Sequence, residues 1–205
     1  MHLQSRFLAA ITLCWMAWLP LLANADIRIE NGTAPTGRYS IRITSLQEND
    51  PHGYEVWFYD EKADKRIAKT NVQCFYATAQ NAAETMKVAW HRSGEFVAFN
   101  HRDSKHSMEL FVYSLVDGKP SRLPILNYEQ NALGRVNAVE VALHSVSTPK
   151  PWNNDTLMID YYFSVDHEDK GRFFYNAEIE LQLHRELNNT PRIQLLSVSQ
   201  PINDH

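Results

Sequence analysis

The chain has 205 residues, with 20 basic residues against 24 acidic ones and a formal charge of −4. So mild a negative balance excludes nucleic acid and anionic membrane surfaces as partners, because both need basic patches to neutralise phosphate. Two cysteines among 205 residues exclude a disulfide-built scaffold, so stability must come from a packed core.

The first 25 residues read as an export leader. Arg6 sits in a short polar start, Phe7 to Leu22 is apolar, and Ala23-Asn24-Ala25 offers a small-x-small cleavage site before Asp26. The apolar run is 16 residues, shorter than the roughly 20 a helix needs to span a bilayer. Thr12-Leu13 before Cys14 lacks the small residues of a lipid-attachment box. Cleavage would leave a soluble chain, 26–205, expected to form a single β-rich domain in the periplasm or outside the cell. It would carry one cysteine, Cys74, in an apolar segment suited to a buried thiol.

Ile27 and Ile29 begin a short strand, and the turn-rich piece 31–37 (NGTAPTG) follows. Tyr39, Ile41 and Ile43 alternate with Ser40, Arg42 and Thr44, the period of a half-buried strand. After a loop at 47–53, Tyr54 to Tyr59 (YEVWFY) is apolar at nearly every position and predicts a strand covered on both faces. Arg66 to Lys69 and Asn71 to Tyr76 read as further strands, and Ala77 to Met86 as a short helix.

Lys87 to Lys119 is the densest run of β signals. Strands at 87–90, 95–99 and 108–115 are joined by the turn His91-Arg92-Ser93-Gly94 and by the polar loop 101–106. Asp117-Gly118 turns into a fourth strand at 121–126. Within this run, Ala89-Trp90, Gly94 and Val97-Ala98-Phe99 precede Glu109-Leu110-Phe111-Val112-Tyr113 and Asp117-Gly118. That succession resembles one blade of a TolB-type β-propeller repeat, with His91-Arg92-Ser93 standing where the family has Ser-Pro-Asp. The resemblance implies a scaffold in which Trp90 packs and Gly94 turns the chain, and it implies no catalysis. Tyr54 to Tyr59 overlays Met108 to Tyr113 at an offset of 54 residues, so 38–70 reads as a degenerate second copy and 156–198 as a third candidate. Closed propellers take four to eight blades. The expected fold is therefore all-β with one or two short helices: antiparallel meanders resembling propeller blades, in an open array or sandwich rather than a closed propeller.

Tyr128, Ala132 and Leu133 fit one side of a short helix ending near Gly134. Ser147 to Asp155 reads as a Pro-rich loop carrying Trp152. Leu157 to Val165 and Ala177 to His184 alternate cleanly on either side of the acidic loop 166–171, and Ile193 to Val198 ends the chain's strands.

Four residues stand out for ligand binding. His101, Asp103 and His106 share one polar loop, and Trp152 supplies an aromatic surface. Imidazole and carboxylate suit zinc, but a hairpin loop does not fix their geometry and Arg102 and Lys105 oppose a cation, so no metal or other cofactor is expected. Asp166, His167, Glu168 and Asp169 lack the spacing of a calcium loop. Glu55, Glu109 and Asp160 interrupt apolar strands, as a catalytic acid would. No nucleophile elbow, phosphate-binding loop or CxxC pair is present in the sequence, so no catalytic residue is assigned. These features point to an exported, non-catalytic β-domain that binds a protein or carbohydrate ligand in the cell envelope. A secreted hydrolase or lyase acting on polysaccharide or peptide is the alternative, and self-association into an oligomer remains open.

Overall fold

A computed structural model describes residues 26–47, 50–74, 77–102, 104–138, 144–167, 171–187 and 189–203. The leader expected over 1–25 lies outside these residues, as does Asp103, and so does the side chain of Cys74. No described helix is long and apolar enough to cross a membrane.

The described chain forms three four-stranded antiparallel meanders. The first runs β1 (Ile27–Thr33), β2 (Tyr39–Gln47), β3 (Asp50–Asp60) and β4 (Lys65–Cys74) in that spatial order. The second comprises β5 (Val88–Trp90), β6 (Phe96–Arg102), β7 (Ser107–Ser114) and β8 (Ser121–Leu123). The third comprises β9 (Ser145–Pro149), β10 (Thr156–His167), β11 (Gly171–Arg185) and β12 (Pro191–Val198), and a short β13 (Ile202–Asn203) also pairs with β11. The fold is all-β and open, with no closed barrel or propeller. The 54-residue offset in the sequence lays β3 over β7, the third strand of each meander.

Two helices interrupt the strands. α1 (Ala79–Thr85) is capped by Thr78, whose hydroxyl accepts from the Asn81 N–H at 3.0 Å. α2 (Tyr128–Arg135) buries Tyr128, Ala132 and Leu133, the three residues that the sequence places on one face.

The first meander is a sheet of its own, and the second and third join through the β7–β9 pair into one nine-stranded sheet that packs as two layers, so the middle meander is covered on both sides. One face of β6 and β7 (Val97, Phe99, Phe111, Tyr113) packs against Ile41, Ile43, Val56 and Phe58 of the first layer. The other face (Phe96, Ala98, Leu110, Val112) packs against Leu157, Ile159, Ile179 and Leu181 of the third. Phe99 stacks on Phe111 and Tyr113, with ring centroids 5.8 Å apart in each case. Asn100, buried in this layer, ties down the approach to β5: its side-chain oxygen accepts from the Lys87 N–H at 2.7 Å.

Two-sided burial therefore belongs to β6 and β7 and not to Tyr54–Tyr59. Within this run Tyr54, Val56 and Phe58 point inward. Glu55, Trp57 and Tyr59 form an outer face, where Arg66 lies over Trp57 at 4.7 Å and Arg42 over Tyr59 at 3.5 Å. β1 also reaches further than the turn-rich 31–37 predicts. Asn31 takes a left-handed φ of 56° and Gly32 admits a close crossing, where a Cβ would meet the carbonyl oxygens of Ile29 and Ile41 at 2.9 Å. β9 extends to Pro149, inside the segment expected as loop, because its residues pair with Ile159 to Phe163 of β10.

Each layer junction carries one indole hydrogen bond. Trp90 Nε1 donates to the carbonyl of Gly32 in the first layer at 3.1 Å, and Trp152 Nε1 donates to that of Ala89 in the second at 3.0 Å.

Candidate functional site

The four residues singled out in the sequence do not meet. His101 is buried between the first and second layers, edge-on to Tyr54 at 5.2 Å and to Phe111 at 6.0 Å. Trp152 is half-buried at the opposite end of the strands, its ring 5.5 Å from His91 and its indole spent on Ala89. His106 is exposed at the loop end, and Asp103 lies outside the described residues. The described residues of the loops 101–106 and 166–171 lie at one end of the stack. His106 contacts His144 there with ring centroids 4.7 Å apart, and His144 contacts Phe174 at 6.2 Å. The loop 147–155 sits at the other end against the β5–β6 turn, where Asp155 is 3.3 Å from His91.

The three strand acids each meet a base. Lys69 lies 2.8 Å from Glu55, Arg122 lies 2.7 Å from Glu109, and Lys150 lies 2.7 Å from Asp160. Glu55 belongs to the outer face of the first layer and Asp160 is exposed on the third, so neither stands beside Glu109. Among the described residues no group of three or more His, Cys, Asp or Glu is placed to hold a metal ion.

One cleft is built where β7 forks. At its start β7 pairs in parallel with β9 for only two residue pairs, Ser107 with Ser145 and Met108 with Val146. At its end it pairs with β8, Val112 opposite Leu123. Both partners lie on the same side of β7, so the strand between them opens a gap. The chain returning from β8 fills its far wall. Asn127 takes a left-handed φ of 61°, and the turn it makes launches α2 across the opening. The resulting cleft, of about 360 Å³, is lined by Glu109, Ile125, Asn127, Tyr128, Glu129, Gln130 and Ser145.

Its wall is a hydroxyl chain. The Tyr128 hydroxyl donates to Glu129 at 3.2 Å and lies 3.1 Å from Ser147 Oγ, which therefore donates to it. Burial, reinforced by the charge of Glu129, pushes the Tyr128 phenol well above its ordinary pKa, so it stays a neutral donor. Behind it stands Tyr161, with its ring 5.6 Å from that of Tyr128 and its hydroxyl buried without a hydrogen-bond partner. Burial and then the Glu129 charge hold the Tyr161 phenol neutral as well.

A neighbouring groove of about 520 Å³ shares Asn127 and is more apolar, with Leu126, Ile193 and Leu195 in its wall. Beside the start of the fork, His106 is held below the ordinary imidazole value by desolvation and by the charges of His144, Lys105, Arg102 and Arg172.

Sequence reasoning reached Glu109 and the buried face of α2 but not Glu129, Ser145 or Ser147 as site residues. The parallel contact that brings 107–109 beside 145–147 is two residue pairs long and leaves no periodicity to read. No protein family, characterised protein or solved structure matches this chain.

Proposed function

We propose that this chain is an exported, non-catalytic binding domain and that the fork between β8 and β9 receives its ligand. One observation carries the reading. Glu55 and Asp160 are engaged in ion pairs away from the fork, whereas the fork brings hydroxyl, amide and carboxylate groups together in an open cleft. Three stacked meanders supply a rigid frame for such a site. The TolB-type blade resemblance supports the same view, since blades of that kind are scaffolds. The leader read from residues 1–25 supports placing the domain in the periplasm or outside the cell, where the partner would be an envelope protein or carbohydrate.

A hydrolase or lyase acting on polysaccharide or peptide is the second reading, favoured by one feature: Glu109 and Glu129 line the same cleft. Incubating the purified protein with envelope polysaccharide and peptide fractions separates the two. The binding reading predicts saturable association with no new reducing ends, unsaturated products or free amines. Product formation that disappears in Glu129→Gln would replace it with the enzymatic one.

A further inference from the structure

We infer that the edge of β12 is a docking site for an extended peptide segment of a partner protein, which adds to the nine-stranded sheet as a further strand. This goes beyond the fork cleft, and different groups carry it. Each of the two sheets has two end strands. β1 and β5 lie against one another, tied by the Trp90–Gly32 hydrogen bond. β4 carries the exposed bases Lys65, Arg66 and Lys69, charges of the kind that keep an edge from pairing. β12 carries a single charged residue, Arg192, and among the described residues it pairs only with β11.

The ladder with β11 decides which backbone groups of β12 are open. At the hairpin the Glu186 N–H donates to the Thr190 carbonyl, and Leu183 sends its N–H away from β12 to the Asp155 carbonyl. Bonded and unbonded pairs alternate in an antiparallel ladder. Arg192 and Gln194 therefore bond β11, while Ile193 and Leu195 turn their N–H and C=O groups outward. Pro191 falls on an outward position, where its missing N–H takes nothing from the ladder. Leu196 is the extra residue of a bulge between the Leu181–Leu195 and Glu180–Ser197 pairs, and it ends the open stretch. So short a window suffices in this sheet, where β5 and β8 are held with 3 residues each.

The apolar surface is gathered at the same place. The groove of about 520 Å³ has the four consecutive residues Arg192 to Leu195 on one side, with Leu126 and Asn127 at the start of α2 on the other. Leu126, Leu187, Leu196 and Ile202 are the large apolar side chains that stand exposed among the described residues. All four border this edge: Leu126 in the groove wall, Leu187 in the β11–β12 turn, Leu196 on β12, and Ile202 on β13, which pairs with β11 beyond it. A strand is the partner that meets open N–H and C=O groups at their own spacing, and its alternate side chains fill an apolar groove.

Random linear nonapeptides displayed on phage and selected on the purified protein are the probe. Ile193→Pro removes an outward N–H and leaves the β11 ladder intact, and Leu126→Asp alters the exposed groove wall without touching the strand. The inference predicts enriched peptides with alternating apolar residues, bound at least about 10-fold more weakly by both variants. In amide hydrogen exchange, Ile193 and Leu195 should exchange fast in the free protein and at least about 10-fold more slowly with peptide bound, with Gln194 slow throughout. Circular dichroism checks each variant's fold, and if I193P does not fold, L126D and the exchange pattern decide. Slow exchange at Ile193 and Leu195 in the dilute free protein would show the edge already covered and overturn the inference. Slowing that follows protein concentration alone would give the edge to a second copy and overturn the peptide assignment. Failure to enrich any peptide, or peptides that protect Tyr128, Glu129 and Ser145 instead, would overturn it as well, the latter by placing them in the fork cleft. Saturable polysaccharide binding in the cleft would stand after any of these results, so the two sites fail separately.

Discussion

Arg42 shows how single residues are spent in this protein. Its alternation partners Ile41 and Ile43 enter the core, and its own guanidinium turns outward to meet Glu61 with two contacts of 2.9 Å while lying over the Tyr59 ring. Ser40 donates to the same carboxylate. Burial pushes the Glu61 carboxyl upward, but the hydrogen bonds from Ser40 and Arg42 outweigh it and hold the group below its ordinary 4.5. Asp26 behaves likewise: burial raises it, while hydrogen bonds from Arg66 and Thr44 bring it below 3.8. A carboxylate with a depressed folded-state pKa contributes stability that is fully present above its ordinary value and is lost as pH falls through the depressed one. The carboxylate contribution to urea midpoints should therefore hold steady from pH 7 to about 5 and fall below about 4.5. His106 adds to the same trend from higher pH, because its neutral form is the one favoured in the fold, so its contribution declines as pH falls below 6.5. Glu61→Gln should cost about 1–3 kcal/mol at pH 7, because it leaves the nearly buried Arg42 without its counter-charge, and should flatten part of the acid slope. A midpoint unchanged by that substitution would show the network to be ornamental to stability.

At the scale of elements, the tight turns are what lock one layer to the next. Gly94, in the β5–β6 turn, has φ +71°, and a Cβ there would meet Thr36 Oγ1 of the first meander at 2.6 Å. Gly94→Ala thus carries two penalties: the left-handed backbone, about 1 kcal/mol, and a contact that Thr36 must yield to. The account expects Gly94→Ala to cost about 2–4 kcal/mol. The same substitution in a Thr36→Ala background should cost about 1 kcal/mol less, a coupling that a double-mutant cycle in urea would read. Additive effects would mean that the two turns do not touch in solution.

Much of this level was legible in the sequence. Gly94 reads as a turn from its place after His91-Arg92-Ser93, α2 reads from Tyr128, Ala132 and Leu133, and β10 and β11 read from strict alternation. What was not legible depends on which element covers which. YEVWFY is the more apolar string and FVAFNH the less, yet only the second lies between two layers. The outer positions of the first are covered instead by long basic side chains whose stems lie over aromatic rings. The fork has the same cause. Glu109 and Ser145 are 36 positions apart, and their meeting follows from how the third meander docks and not from any local pattern.

Taken as a molecule, the stack ends in polar faces on both sides. The outer face of the first layer carries the Arg42–Glu61, Arg66–Asp26 and Lys69–Glu55 pairs, and that of the third carries Lys150 between Asp160 and Glu178. Terminal repeats of stacked arrays need such faces to stay in solution. Adding a fourth layer would desolvate these charges for little return. The stack of three should therefore stand alone, and light scattering should give the mass of one chain at micromolar concentration. A dimer that persists on dilution would show that an edge, such as β12, pairs with a second copy.

The central claim is that the fork between β8 and β9 is where this protein binds. The most direct measurement is amide chemical-shift mapping of the labelled protein titrated with envelope polysaccharide and peptide fractions. The account predicts saturable shifts clustered at Glu109, Asn127 to Gln130 and Ser145 to Ser147. Shifts gathered instead around Trp152 and the β5–β6 turn at the other end of the strands would contradict it.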